Sequence, residues 1–407
     1  MPRPPRHSTV KNPEIRTPLP KPNPPLPFGK SGPYAYHLRN TGNPCGLYRL
    51  WGLEVLDPDA ELDRARSLPP ECYTHPEWRE LDLRRVFGAS WLPICRTEQV
   101  DLPGSYLALN LAGEPIVVAR NLKGQLHAFS NICRHRAARV VPEGCGEATR
   151  FTCPYHGWMY DLAGNLTGIP EGVGMTTFRR EKNPLPAWHL EVWDRWVWVH
   201  APHPAPQSLD SQIGPFQLWL GDRLEGYRWI ARREYPVACD WKVFVDNYLD
   251  GGYHVGPVHP GLAAGLVGKE YTTRVHDKSS LQSCPLSGSA NGGMAWYWHL
   301  WPAWMINLYG DVADTNLVLP DGAGRCRVVF DWYALGECPP DRVEAIVASS
   351  DQVQREDMQI CEEVQSNLSS RFYQGGPYVP KRELAGWRFH QMWAETTGFK
   401  GFGGKNG

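Results

Sequence analysis

Two short clips decide most of what this chain can be. Cys133-Arg134-His135 and, seventeen residues later, Cys153-Pro154-Tyr155-His156 each offer one thiol and one imidazole. Two thiolates on one iron and two imidazoles on the other are the ligand set of a Rieske [2Fe-2S] cluster. Imidazoles in place of two thiolates raise the reduction potential and leave ring nitrogens facing outward, so such a site passes single electrons. A structural zinc site uses the same four side chains, but zinc clips pair like with like across about two to five residues. Here each clip mixes the two types and the first leaves one residue between them, a pattern that favours the cluster. Cys145 lies between the clips at a spacing that matches neither and reads as a non-ligating thiol.

The segment that carries the clips is patterned for strands. From Trp91 to about Pro202 it runs in short β-branched and aromatic stretches. Ile116 to Ala119, a turn over Asn121 to Gly124, and Leu126 to Phe129 predict a hairpin; Trp196 to Val199, after Asp194-Arg195, predicts a further strand. Elsewhere the period lengthens. Pro76 to Phe87 carries Trp78, Leu81, Leu83, Val86 and Phe87 at helical spacing. Trp241 to Tyr248 reads as a helix, Arg325 to Tyr333 as a strand, and Asp341 to about Leu368, behind Pro339-Pro340, as one long helix or a broken pair. At 407 residues the chain is long enough for two domains, with one domain plus a tail as the alternative. The expected class is α+β with an inserted all-β unit: residues 1–68 as a Pro-rich, largely disordered tail, 69–205 as a helix plus the β unit, and 206–407 as a second domain.

The tail reading rests on eleven prolines and few large apolar residues in 1–33, too little surface to offset ordering entropy. Through Leu53 there are eight basic residues and one acid, Glu14. That bias fits an organelle-targeting segment, the low Ser/Thr content fits a plain solvated tail, and both readings stand. Over the whole chain 42 basic residues face 43 acidic ones, which gives no field for nucleic acid or an anionic membrane. No apolar run is long enough to span a bilayer and no apolar signal core stands near the start, so the sequence predicts a soluble, unsecreted protein. Eleven cysteines in a chain of this size argue for a reducing compartment and free some thiols for metal ligation.

A second metal site is suggested by His254 and His259. Five residues apart on an unbroken helix they would point about 140° apart. Gly256 and Pro257 intervene, so the helix is expected to end or distort there and let His259 swing back. For a third ligand, Asp357 falls on a helical stripe otherwise made by Val353, Cys361, Val364 and Leu368. A carboxylate in an apolar stripe neutralises or finds a cation; a metal is one such cation, Arg355 or a solvated groove the alternative. Two histidines and a carboxylate form the facial triad of non-haem Fe(II) oxygenases, which leaves coordination positions open for dioxygen.

Together the two sites resemble the α subunits of the Rieske non-haem iron oxygenases. The likeness runs from about Pro69 to Ser370. It rests on the two clips, on the run from Asp246 to His254, on Met305 to Tyr309 with Asp314 to Pro320, and on Glu356-Asp357 leading into Cys361 to Gln365. The resemblance implies a Rieske β domain joined to a catalytic domain whose antiparallel sheet wraps around helices, in a homotrimer. It implies that Asp250 carries electrons from His156 of one subunit to His254 of the next, with Asp246 the weaker choice. Many members have two residues between that acid and the histidine. Here there are three, expected to form a helical bulge as in the choline-oxidising branch.

That branch implies a small quaternary ammonium substrate, choline, oxidised with O2 to betaine aldehyde hydrate. The resemblance also implies a ferredoxin or reductase as donor and a plastid stroma, or alternatively the cytoplasm. N-demethylation of glycine betaine or carnitine, and a Rieske electron carrier without oxygenase activity, are the competing functions. A quaternary ammonium is best held by aromatic faces; Trp296, Tyr297, Trp298, Trp301, Trp304 and Tyr309 are the candidates, with core packing the alternative for each.

Overall fold

The structure, a computed structural model, describes residues 61–288 and 293–399. The tail over 1–60 lies outside them. Chain packing is under way by Arg66, which bridges Pro377, and Leu68, which is fully buried. A helical stretch follows over Pro76–Leu81, a wider π-type turn over Asp82–Val86 and a tight turn over Phe87–Ala89.

Two seven-stranded antiparallel sheets form the body. The first orders its strands as Leu92–Arg96, Trp196–His200, Ala187–Trp193, Leu126–Ser130, Glu114–Arg120, Ser105–Leu111 and Gly144–Glu147. The expected hairpin is present, with Val117 opposite Phe129. A small three-stranded sheet, Phe151–Thr152, Met159–Tyr160 and Leu166–Gly168, hangs from this unit and holds the second clip. The second large sheet runs Tyr227–Val237, Cys326–Leu335, Val312–Pro320, Trp304–Tyr309, Met294–Leu300, Ser279–Pro285 and Thr272–Val275. All its neighbours are antiparallel.

Side chains alternate across a strand, so each face of the second sheet has its own partner. On one face Trp298 packs edge-on to Phe216 of the Leu209–Leu220 helix, and Trp304 packs against Trp196 and Trp198 of the first sheet. Each such edge-to-face pair adds about 0.5–1.5 kcal/mol beyond the area it buries. This tryptophan layer joins the two sheets. The other face is covered by the Trp241–Tyr248 helix, the Pro340–Asn367 helix and the Leu384–Thr397 helix.

The Trp241–Tyr248 helix is held at its first turn. Lys242, fully buried, ion-pairs with Asp82 and Asp240, and Asp82 also accepts from the indole N–H groups of Trp241 and Trp393. One ammonium thus ties the N-terminal helical stretch, this helix and the Leu384–Thr397 helix together. Breaking such a buried pair costs about 3–5 kcal/mol. Asp240 caps the same helix by accepting from the Lys242 amide.

Candidate functional site

The first clip lies in a loop whose base is the Ile132–Arg139 bridge, and the second in the turn between Phe151–Thr152 and Met159–Tyr160. Buried Asn131 accepts from the amides of Val140 and Val141 and donates to the Val141 carbonyl, which fixes the first loop. The two loops match: the Cys133 amide donates to Ala138 O and the Cys153 amide to Trp158 O, each at 2.8 Å. Cys133 and Cys153 are free thiols buried in an apolar cluster with Phe129, Phe151 and Leu162, close enough to hydrogen-bond to one another. His135 and His156 are exposed, with their Nδ1 atoms 3.1 Å apart. The His135 ring stacks on Trp158 at 4.9 Å.

The four side chains therefore fall into two pairs, the sulfurs buried and the nitrogens exposed. Burial raises the Cys153 thiol above its ordinary value, so the thiolate form calls for a cation beside it. The Tyr160 hydroxyl lies 3.4 Å from Cys133 Sγ and accepts from the Arg134 amide. Cys145 is apart from this set, exposed on the edge strand Gly144–Glu147.

The second group is assembled from two distant pieces of chain. His254, His259 and Asp357 each present one donor atom, all within 4.8 Å of one another. The chain reaches that arrangement by a different route from the expected one. The helix ends at Leu249, upstream of both histidines, and Gly251 and Gly252 turn the chain with φ +68° each. No helical bulge forms between Asp250 and His254. A Cβ at Gly251 would collide with the Arg382 carbonyl, and at Gly252 it would meet the Tyr271 ring at 2.6 Å, so only glycine fits. Gly256 and Pro257 do not break a helix; they lie inside a single helical turn, Val255–Val258, and the direction changes at His259.

Each histidine uses one nitrogen for the shared centre and the other for an acid. His259 Nε2 lies 2.9 Å and His254 Nε2 3.5 Å from Asp357 Oδ1. His259 Nδ1 bonds Glu356 at 2.7 Å, and His254 Nδ1 bonds Asp250 at 2.6 Å. Asp250 also accepts from the amides of Tyr253 and His254. Such acid–imidazole pairs fix the tautomer and raise ligand basicity. Burial would lower the His254 imidazole, but Asp250 and Asp357 outweigh it and push it up to about 9. Burial would likewise raise Asp357, yet the two histidines hold it below its ordinary value. The group is short of positive charge, which is what a dication supplies.

Arg355 is not the partner of Asp357; it bonds Asp351 at 2.8 Å. Of the expected stripe, Cys361 and Leu368 are buried, whereas Val364 is 42% exposed. Asp246 is engaged elsewhere, accepting from the Tyr73 hydroxyl at 2.7 Å and lying 2.8 Å from His390 Nε2. Sequence reasoning missed the contributions of Glu356 and of Asn247, which donates to Asp357 at 2.6 Å. The signal for Glu356 was its place beside the acid of the stripe; Asn247 gave none.

A cavity of about 470 Å³ opens beside this centre, between the second sheet and the helices. The six aromatic candidates divide by strand parity. Tyr297 and Tyr309 line the cavity; Trp296, Trp298, Trp301 and Trp304 do not. Trp296 and Trp298 pack against Trp219, and Trp301 against Phe389. The cavity aromatics are instead Tyr248, Tyr271, Tyr297, Tyr309, Phe244 and Phe330, and among the described residues no lysine or arginine is in the wall. Tyr271 and Tyr297 lie nearly parallel, 6.2 Å apart.

Residues 90–179 match the Rieske [2Fe-2S] domain, and residues 224–398 match the catalytic domain of ring hydroxylating α subunits. The chain is 35% identical to the chloroplastic choline monooxygenase of Arabidopsis thaliana, over 84% of this chain and 87% of the relative. It is 28% identical to the carnitine monooxygenase oxygenase subunit of Escherichia coli K12, over 78% and 88%. Among solved structures, the quaternary ammonium Rieske monooxygenase CntA with L-carnitine superposes with a TM-score of 0.75. That match has 26% identity and covers 85% of this chain and all of the other.

Proposed function

As the chain belongs to the Rieske non-haem iron oxygenase α subunits, we propose that it oxidises choline at its alcohol carbon to betaine aldehyde hydrate. The observation that carries this reading is the wall of the cavity beside His254, His259 and Asp357: tyrosine faces and, among the described residues, no lysine or arginine. A trimethylammonium group donates no hydrogen bonds and is held by ring faces. A carboxylate-bearing substrate would find no arginine or lysine there.

In this reading Cys133, His135, Cys153 and His156 hold the [2Fe-2S] cluster, and His254, His259 and Asp357 hold the mononuclear iron. When bound, these groups supply single electrons and dioxygen activation respectively. The protein's part is positional. Asp250 and Glu356 orient the imidazoles, and the tyrosines seat the ammonium. One oxygen atom of O2 enters the C–H bond, and the other leaves as water with two electrons and two protons from the donor.

His135 and His156 border a surface depression that shares no residue with the cavity of His254. Electron delivery between subunits of a homotrimer through Asp250, with a ferredoxin or reductase as the source, belongs to the same reading and rests on the family. A plastid stroma is the proposed compartment, on the chloroplastic relatives and the basic N-terminal region. Among the described residues no helix is long and apolar enough to cross a membrane.

The test is product analysis on purified protein with a reductant: betaine aldehyde from choline is expected. Formaldehyde from glycine betaine or carnitine, with choline inert, would replace this reading by N-demethylation, which the likeness to carnitine monooxygenase favours as the second choice.

A further inference from the structure

One acid in the cavity has no counter-ion. Asp314 is 1% exposed and lines the wall formed by the second sheet. Its Oδ1 accepts from Asn307 Nδ2 at 2.8 Å and Asn316 Nδ2 at 2.9 Å, and its Oδ2 accepts from the Tyr309 hydroxyl. All three donors are neutral. Among the described residues no lysine, arginine or histidine makes an ion pair with it. Burial keeps its carboxyl above the ordinary value, and the three neutral hydrogen bonds pull the other way.

Strand register puts this acid where a ligand meets it. Gln282 pairs with Tyr297, Tyr297 with Asn307, and Asn307 with Asp314, so four polar side chains form one cross-strand row. All four line the cavity. Tyr248 closes the row by donating to Asn307 Oδ1 at 2.7 Å. His254, His259 and Asp357 lie on the helical wall of the same cavity. The two walls thus present a lone negative charge and a metal-binding group to one small ligand.

We propose that Asp314 is the positioning residue for the ammonium head, so that a quaternary ammonium alcohol lies with its cation on the sheet wall and its alcohol carbon toward His254, His259 and Asp357. This deepens, and rests on, the choline reading above. The same charge selects against betaines. To be N-demethylated, a betaine must turn its methyl groups to the metal-binding wall, which drives its carboxylate toward Asp314. Like charges in a site of low dielectric repel strongly. A cationic alcohol meets the opposite case, because it supplies the counter-charge that the buried carboxylate lacks.

The experiment is calorimetric titration of the metal-loaded protein without oxygen, using choline and its uncharged carbon isostere 3,3-dimethyl-1-butanol. Asp314→Asn is expected to weaken choline by about 10- to 100-fold, the scale of one partly screened charge pair, and to leave the isostere unchanged. Asp314→Glu should restore the preference for the cation. An unchanged ratio of choline to isostere affinity in Asp314→Asn overturns the proposal. If that variant loses the Rieske spectrum and so its fold, the native protein decides. Glycine betaine should bind about 100-fold more weakly than choline, and equal binding overturns the proposal.

Product analysis separates the two readings. Charge-dependent choline binding with formaldehyde as product removes the choline oxidation and keeps the role of Asp314 in binding. Betaine aldehyde from Asp314→Asn with native choline affinity does the reverse.

Discussion

The two candidate metal centres differ in almost every respect that a chain can control. The Cys133–His156 group is formed by two loops close in sequence, with buried sulfurs and exposed imidazoles at a surface depression. The His254–His259–Asp357 group joins residues up to 103 positions apart, with His259 1% exposed, and opens on a cavity. An electron can leave through an exposed ring edge, so the first site gains from contact with the surface. Oxygen chemistry on a small substrate needs a closed, shaped space, so the second gains from burial. Separate sites let one chain satisfy both demands.

The sharpest way to break this comparison is to remove one site and watch the other. Asp357→Ala should abolish product formation and lower iron from about three to about two per chain, while the Rieske paramagnetic signal of the reduced cluster persists. Loss of that signal would show that the centres depend on each other for folding. Asp250→Ala addresses the link between them. Both metals should remain, and turnover should fall by about 10- to 100-fold, the scale for loss of an outer partner of a metal-bound histidine. Normal product yield in that variant would remove Asp250 from the electron path.

Glu356→Gln sharpens the picture of the buried centre alone. It keeps a hydrogen-bonding side chain beside His259 Nδ1 but removes the charge, so mononuclear iron should be lost about tenfold more readily to a chelator. Cluster absorbance should be unaffected. The smallest effect is expected at the exposed centre from Tyr160→Phe. Without the hydroxyl beside Cys133 Sγ, the cluster's midpoint potential should fall, because hydrogen bonds to sulfur favour the reduced state. A protein-film voltammogram with no downward shift would exclude that contact as a tuning device.

The same contrast governs what could be read from the sequence. The first candidate site could be assembled from sequence because its four proposed ligand residues lie in two contiguous clips inside a strand-patterned segment. Trp241–Tyr248 and Pro340–Asn367 also formed where periodicity placed helices, with Asp357 turned to the cavity. The turn at Gly251-Gly252 was misread as a bulge because helical spacing says nothing about a left-handed backbone; only the adjacent glycines hinted at it. The six aromatic candidates, left open between cage and core, divide by parity, with Tyr297 and Tyr309 on the cavity side and the four tryptophans in the core. Alternation separates Trp296 and Trp298 from Tyr297, but not which face of the sheet meets the cavity. Tyr271, just ahead of the Thr272–Val275 strand, and Gln282, within Ser279–Pro285, reach the cavity with no local pattern to mark them.

The row from Gln282 through Tyr297 and Asn307 to Asp314 limits how such a protein can change over generations. Each member is held by its pairing with the next strand, so inserting or deleting one residue in any of these strands would turn that strand's polar group to the tryptophan face. New preferences must therefore arise by exchanging side chains in place. A loop between these strands can change length without turning the row, whereas the strands themselves must keep a fixed count.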